Sequence, residues 1–139
     1  MKQKDSLRFL FAPRTIAVVG ASNKEGKMGN LFVRNLLAGS PASIFPVHPT
    51  EREIAGVTAY PDINAIPETL DLVIPLVPGE QLVPLVRSWS KGKVKYLLAI
   101  PSGFAETASG ICLGTIIFSR TLDSRYMGNT LGGQCYRFL

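Results

Sequence analysis

The stretch Ile16-Ala-Val-Val-Gly20-Ala-Ser-Asn-Lys-Glu-Gly26-Lys-Met-Gly29-Asn30 decides the reading of the fold. The unbroken apolar run from Ile16 to Val19 predicts a strand buried on both faces, as in a parallel sheet covered by helices. Glycines then let the backbone turn sharply and approach a ligand closely. The helix expected next presents unpaired N–H groups and the positive end of its dipole, which together suit a phosphate. Backbone does most of that holding, so the motif names a nucleotide-like anion before it names which one.

The chain around this stretch has 139 residues, 46% of them hydrophobic, enough for one domain with a core that needs no disulfides. A net charge of +5 and a pI near 9.5 suit an anionic partner. The basic residues are scattered, without an aromatic-interleaved patch or zinc-ligand spacing, so the reading excludes nucleic acid as partner and assigns no metal. Met1 to Ala12 superficially resembles a signal peptide, but its apolar run is short and Arg8 interrupts it. Leu7, Phe9, Leu10 and Phe11 are instead expected to pack on the domain. No apolar stretch is long enough for a membrane span. Cys112 and Cys135 lack metal spacing and are expected to be free thiols in a reducing cytoplasm.

Working outward, a first helix is expected from about Gly29 to Ala38, with Phe32, Val33, Leu36 and Leu37 inward and Asn30, Arg34 and Asn35 outward. Gly39 is a natural stop. Further strands are expected at Ser43–Val47, Asp71–Val77 and Lys95–Ile100, besides Thr15–Val19. Pro46 suggests that the second strand's pairing ends early or runs beside a loop. A helix from Glu80 to Ser90 would bury Leu82, Leu85, Val86 and Trp89, and Pro84 fits it only near the first turn. Alternating strands and helices predict a Rossmann-like, doubly wound parallel sheet of about five strands in a single α/β domain. Ligands bind at the C-terminal ends of such strands. Gly20-Ala-Ser, Val47-His-Pro, Val77-Pro-Gly and Pro101-Ser-Gly would line one crevice there. Beyond Thr107 the pattern degrades, and no internal repeat is present.

A unit for NAD commonly has G-x-G-x-x-G and an acid after the second strand for the ribose hydroxyls. Here the loop is longer and differently spaced, and no carboxylate follows Val47 until Glu51. Arg52 leaves NADP open. The residues Phe11-Ala-Pro-Arg-Thr-Ile-Ala-Val-Val-Gly-Ala-Ser22 resemble the opening of the CoA-binding domain of NDP-forming acyl-CoA synthetases. That family includes ADP-forming acetate–CoA ligases and is related to the succinyl-CoA synthetase alpha subunit. The resemblance continues through Pro46-Val-His-Pro49, Gly56-Val-Thr-Ala-Tyr-Pro61, Asp71-Leu-Val-Ile-Pro-Leu-Val-Pro78 and Ser102-Gly-Phe-Ala-Glu106.

The resemblance implies coenzyme A as ligand. Gly20, Ala21 and Ser22, with Lys27, Met28 and Gly29, would hold its phosphates. Val47 and Pro49 would pack the adenine side, and Val77 and Pro78 with Ser102 and Gly103 would guide the pantetheine arm. Thr50 stands where the family often has Lys, and Arg52 is a substitute. Met127-Gly-Asn-Thr-Leu-Gly132 resembles the family's G-P-N-x-x-G turn without its proline. On this reading residues 1–106 form the CoA-binding unit and residues 107–139 a degraded or truncated remainder. The partner implied is a subunit or domain carrying the phosphorylated histidine and the ATP-grasp fold, and the isolated chain is expected to be inactive. An NADP-binding oxidoreductase fragment and a non-catalytic CoA-sensing domain are the alternatives.

Individual residues take plain readings. His48, the one histidine, is a turn residue rather than a phosphoryl carrier, and no catalytic residue is assigned. Ser22 lacks a His or Asp partner and is read as a helix-start cap or phosphate donor. Lys24 and Lys27 are loop lysines within reach of a phosphate. Trp89 and Phe32 are core, and Cys112 has no visible activator. A β-carbon at Gly29 is expected to obstruct the ligand while leaving the fold intact.

Overall fold

The computed structural model describes residues 8–99 and 116–119. A single helical turn, α1 (Arg8–Phe11), precedes the first strand, β1 (Thr15–Val19), all of whose residues are buried. Helix α2 (Met28–Gly39) follows the Gly-rich loop, then strand β2 (Ser43–Val47). A small hairpin, β3 (Glu53–Ile54) and β4 (Val57–Thr58), and a 3-10 turn (Ile63–Ala65) lead to β5 (Leu70–Pro75). Helix α3 (Gly79–Arg87), β6 (Val94–Ala99) and β7 (Ile116–Ser119) complete the order.

The main sheet has the order β2-β1-β5-β6-β7. Its first four strands are parallel, with Thr15 opposite Ser43, Ile16 opposite Leu72 and Leu70 opposite Val94. The fifth strand departs from the expected all-parallel sheet: β7 pairs antiparallel with β6, Tyr96 opposite Ser119. The chain moves from β1 outward to β2 and then crosses back to β5 on the other side. That reversal puts the topological switch point between β1 and β5.

Alternate residues of β1 serve opposite layers, as the strand's two-residue period requires. Ala17 and Val19 face a core with Val73, Leu82, Val86 and Trp89 beneath α3. Ile16 faces Ile44, Leu72, Ile74 and Tyr96, with Phe32 and Leu36 of α2 packed over them. Val18 and Val33, both wholly buried, meet Ala21 and Ile54 where α2 starts. Each such aliphatic side chain contributes roughly 1.5–3 kcal/mol by leaving water. Helices therefore cover both faces, which makes the fold Rossmann-like and doubly wound.

Several local expectations need correction. Leu37 is 39% exposed and Phe11 81% exposed, so neither joins the core, although Phe9 packs against it. The arc of α2 that meets the sheet is narrower than the apolar pattern implied. Asn30 is buried rather than outward, because its side chain bonds the Ser22 carbonyl beneath the helix. Strand β5 ends at Pro75, short of Val77, with one further bond to β1 from the Leu76 N–H. Pro46 does not cut β2 short: pairing with β1 reaches Val47. Because β2 is the sheet's edge, its outer side bonds only to an irregular segment, where the Tyr60 N–H donates to the Pro46 carbonyl at 2.9 Å. Pro84 lies in the second turn of α3, not the first. The helix is short and closes at Ser88, whose N–H donates to the Pro84 and Leu85 carbonyls, each at 3.1 Å. Trp89 lies just past that end and is buried.

Charge inside the domain sits at the N-terminal ends of the strands. Asp71, 4% exposed, accepts from Lys95 Nζ at 2.6 Å and from the Arg14 N–H at 2.9 Å. Thr15 Oγ1 accepts from the Asp71 N–H at 2.9 Å and donates to the Thr69 carbonyl at 3.0 Å. Lys95 Nζ also lies 3.8 Å from the centre of the Phe9 ring, a cation–π contact. This network ties β1, β5, β6 and α1 together at the end of the sheet remote from the Gly-rich loop.

Candidate functional site

Parallel pairing brings the C-terminal ends of β1, β2 and β5 side by side, with Val19 opposite both Val47 and Pro75. Gly20 sits in the middle. Its N–H donates to the Val47 carbonyl at 3.2 Å, and the Leu76 N–H donates to the Val19 carbonyl at 2.8 Å. Gly20 has φ +85°, and a β-carbon there would lie 2.7 Å from the Leu76 carbonyl oxygen. Glycine is thus required twice over, by backbone conformation and by space.

Helix α2 begins directly over this turn because residue 29 is glycine. A β-carbon on Gly29 would stand 2.1 Å from the Gly20 carbonyl oxygen and 3.1 Å from Ala21 Cα. This close approach of helix to strand end corrects the expectation that a β-carbon at Gly29 would leave the fold intact. Asn30, one residue on, points inward and donates from Nδ2 to the Ser22 carbonyl at 3.0 Å. A buried carbonyl in a turn needs such a donor, so a polar residue occupies the inner face. Ser22 does not cap the helix: its Oγ accepts from the Lys24 N–H at 3.1 Å and shapes the loop. The N-cap is Lys27, without a side-chain cap. The Asn30 and Leu31 N–H groups both donate to the Lys27 carbonyl at 3.1 Å. The N–H groups of Met28 and Gly29 find no acceptor among the described residues.

A second clasp joins the loop to the segment after β2. Asn23 Nδ2 donates to a Glu51 carboxylate oxygen and, at 2.8 Å, to the Glu53 carbonyl. Its Oδ1 accepts from the Ala55 N–H at 3.1 Å. Ala55 and Gly56 form the tip of the β3–β4 hairpin with φ +52° and +79°. Two successive positive φ values are the mark of a type I′ turn. His48 organises the neighbouring turn: its Nδ1 accepts from the Glu51 N–H at 2.9 Å and the Thr50 N–H at 3.2 Å.

The predicted residues therefore divide. Gly20, Ala21, Ser22, Lys27, Met28 and Gly29 share one turn and helix start, with Val47 and Pro49 on one side and Val77 and Pro78 on the other. Lys27, Met28, Pro49 and Pro78 are exposed, and Val77 is half-buried. Ala21 and Val47 are buried in the core, so at those two positions it is the main chain that borders the crevice. Ser102 and Gly103, both cysteines, Leu7 and the Met127–Gly132 segment lie outside the described residues. Sequence reasoning missed Asn23, Asn30 and the hairpin. Among the described residues no group of three His, Cys, Asp or Glu gathers as for a metal, and no helix is long and apolar enough to cross a membrane. What the loop offers is open N–H groups at a helix start, two exposed lysines, and an exposed Glu25 drawn toward Arg34 at 3.9 Å, with no carboxylate on the helix's first turn. That set fits a phosphate.

A doubly wound sheet with a Gly-rich turn and a helix N-terminus beside its switch point defines a Rossmann-like nucleotide-binding unit. Residues 14–115 match the family described as CoA binding domain, and the chain belongs to that family. Acetate–CoA ligase [ADP-forming] I of Archaeoglobus fulgidus is 39% identical over 97 residues, covering 70% of this chain and 14% of the relative. Acetate–CoA ligase [ADP-forming] II subunit alpha of Pyrococcus furiosus is 37% identical over 101 residues, covering 73% of this chain and 22% of the relative. This chain thus corresponds to only a small part of those enzymes. A solved structure of the dinucleotide-forming acetyl-coenzyme A synthetase 1 of Ca. Korarchaeum cryptofilum, in complex with phosphate and ADP, superimposes with a TM-score of 0.67. It is 36% identical, covering 72% of this chain and 22% of that one. A conserved hypothetical protein of Pyrococcus furiosus is 27% identical with a TM-score of 0.54, covering 62% of this chain and 73% of that one.

Proposed function

We propose that this chain binds coenzyme A at the C-terminal ends of β1, β2 and β5 and serves as the CoA-binding part of an NDP-forming acyl-CoA ligase. The observation that carries the reading is the Gly20–Gly29 turn, which sets the open N–H groups of α2 beside the switch point of a CoA-binding-family fold. In this reading Lys27 and the first turn of α2 take phosphate, Pro49 borders the adenine, and Val77 and Pro78 border the pantetheine arm with Ser102 and Gly103. Residues 1–106 are the binding unit, and the acyl group and the NTP are handled elsewhere, by a domain or subunit with a phosphorylated histidine and an ATP-grasp fold. A relative named as a subunit alpha supports an assembly of that kind. The purified chain should therefore form no acyl-CoA from acid, CoA and ATP, and measurable turnover would show that the chemistry lies within it.

Thermal unfolding tests the binding. A ligand at 100 times its dissociation constant stabilises the native state by about 2.7 kcal/mol. CoA should raise the Tm clearly, dephospho-CoA less so if the 3′-phosphate is read, and NADPH least. No shift with CoA, or a larger one with NADPH, refutes the proposal. A second reading, a CoA-sensing module without a catalytic partner, draws on the Pyrococcus furiosus hypothetical protein, most of which is this domain. Absence of any co-purifying ligase subunit, together with CoA binding, would favour it.

A further inference from the structure

Glu51 is the first carboxylate after β2, the strand after which a dinucleotide-binding fold places an acid for the ribose hydroxyls, but it lies four residues past Val47. In this chain that acid is not free. Its carboxylate accepts from Asn23 Nδ2, and its main-chain N–H donates to His48 Nδ1 at 2.9 Å, so both ends of the residue are fixed. The Asn23 amide is fully used: both Nδ2 hydrogens have carbonyl or carboxylate acceptors, and Oδ1 takes the Ala55 N–H. That last bond holds Ala55 at φ +52°, a conformation that side-chain-bearing residues rarely adopt. A clamp that engages three separate groups and a strained turn is a built feature rather than a chance surface contact.

We infer that Asn23 is a specificity-determining positioning residue, which ties the Glu51 carboxylate to the Gly-rich loop so that the ribose side of the site accepts a 3′-phosphorylated ribose. The inference rests on the CoA reading above and deepens it. A free carboxylate at this place favours an unmodified diol and repels a phosphate. Tied to Asn23, the carboxylate has its direction fixed toward the Gly-rich loop, and the exposed Lys24 and Arg52 remain to meet a phosphate. Aspartate at position 23 could not do this, since it would face Glu51 with a like charge.

The test is calorimetric affinity for CoA and for dephospho-CoA, read as a ratio in four proteins: the parent, Glu51→Gln, Asn23→Ala and the double variant. The parent should prefer CoA. Glu51→Gln alone should leave the ratio within about twofold, because the carboxylate is already held away. Asn23→Ala should weaken CoA about five- to tenfold more than dephospho-CoA, the scale of one freed charge near a phosphate at a wet surface. The double variant should restore the parent's ratio, a coupling that a merely loosened loop would not produce. Equal weakening of both ligands by Asn23→Ala, a loss that Glu51→Gln does not rescue, or a raised CoA preference in Glu51→Gln alone overturns the inference. If the parent binds CoA and all ratios coincide, only this inference fails. If the parent binds no CoA, the proposed function fails, and this inference with it.

Discussion

Replacing Gly29 by alanine separates a packing role from a ligand-facing one. The new β-carbon would lie 2.1 Å from the Gly20 carbonyl oxygen and 3.0 Å from its carbon, whereas ordinary contacts begin near 3.4 Å. Both atoms are main chain, so no side-chain rotation relieves the overlap, and the start of α2 must withdraw by roughly an ångström. Withdrawal drags Val33, which is wholly buried against Val18 and Ala21, out of its seat. Overpacking of this sort costs about 1–3 kcal/mol, and a backbone obstacle places it at the upper end. Alanine's better helix propensity offsets at most about 1 kcal/mol. The net loss is about 2–3 kcal/mol, a fall in Tm of roughly 6–15 °C for a domain of this size. Two other glycines serve as controls. Gly39→Ala meets open space at a helix end and should be neutral or slightly stabilising. Gly26→Ala also meets open space but at φ +81°, a strain of about 1–2 kcal/mol. Scanning calorimetry should rank the three Gly39→Ala, Gly26→Ala, Gly29→Ala from most to least stable. A Gly29→Ala protein that melts with Gly39→Ala would refute the close-approach argument. Gly29→Val should be worse still, so it is unsuited to testing ligand binding in an intact fold.

Asn30→Ala removes the donor to the buried Ser22 carbonyl and should cost about 1–2 kcal/mol in urea unfolding. Asn35→Ala, at an exposed position of the same helix, should cost almost nothing, and equal losses would show that the Asn30 bond is idle. Asp71→Ala strips a partner from Lys95 Nζ and from the Arg14 N–H. Lys95 keeps 34% of its side chain exposed and can turn to water, so the loss should be about 2–3 kcal/mol, below that of a fully enclosed pair. CoA affinity should survive in the folded fraction, since the network lies at the opposite end of the sheet, and a selective loss of affinity would contradict that placement. Lys24→Ala should weaken CoA about two- to threefold at low ionic strength and less in high salt, and a salt-independent loss would point to a role in loop shape.

What was legible in the sequence follows the range of the interactions involved. β1 and β2 could be read to the residue because each is a short apolar run with sharp ends, β1 buried along its whole length. The doubly wound order followed from alternation of strand and helix, although the β2–β5 crossover carries a hairpin and a 3-10 turn in place of a helix. The hairpin stayed hidden because its turn is Ala55-Gly56, and alanine at positive φ does not announce a type I′ turn as Asn-Gly would. Asn30 was misread by the rule that polar residues on a helix face water, a rule that yields when a turn carbonyl is buried beneath the helix. Asn23 was illegible for a different reason: its partners stand 28, 30 and 32 residues away, and no periodicity links them. Gly29 was noticed, but its packing on the strand end was not foreseen, because a sequence shows that a side chain is excluded without showing what excludes it. The glycines in the loop thus encode how close α2 sits on the sheet, and the two asparagines encode how the loop is held once it is there. A Gly-rich turn alone would serve any nucleotide phosphate, so the inferred preference for a 3′-phosphorylated ribose has to be sought in how Asn23 holds the loop.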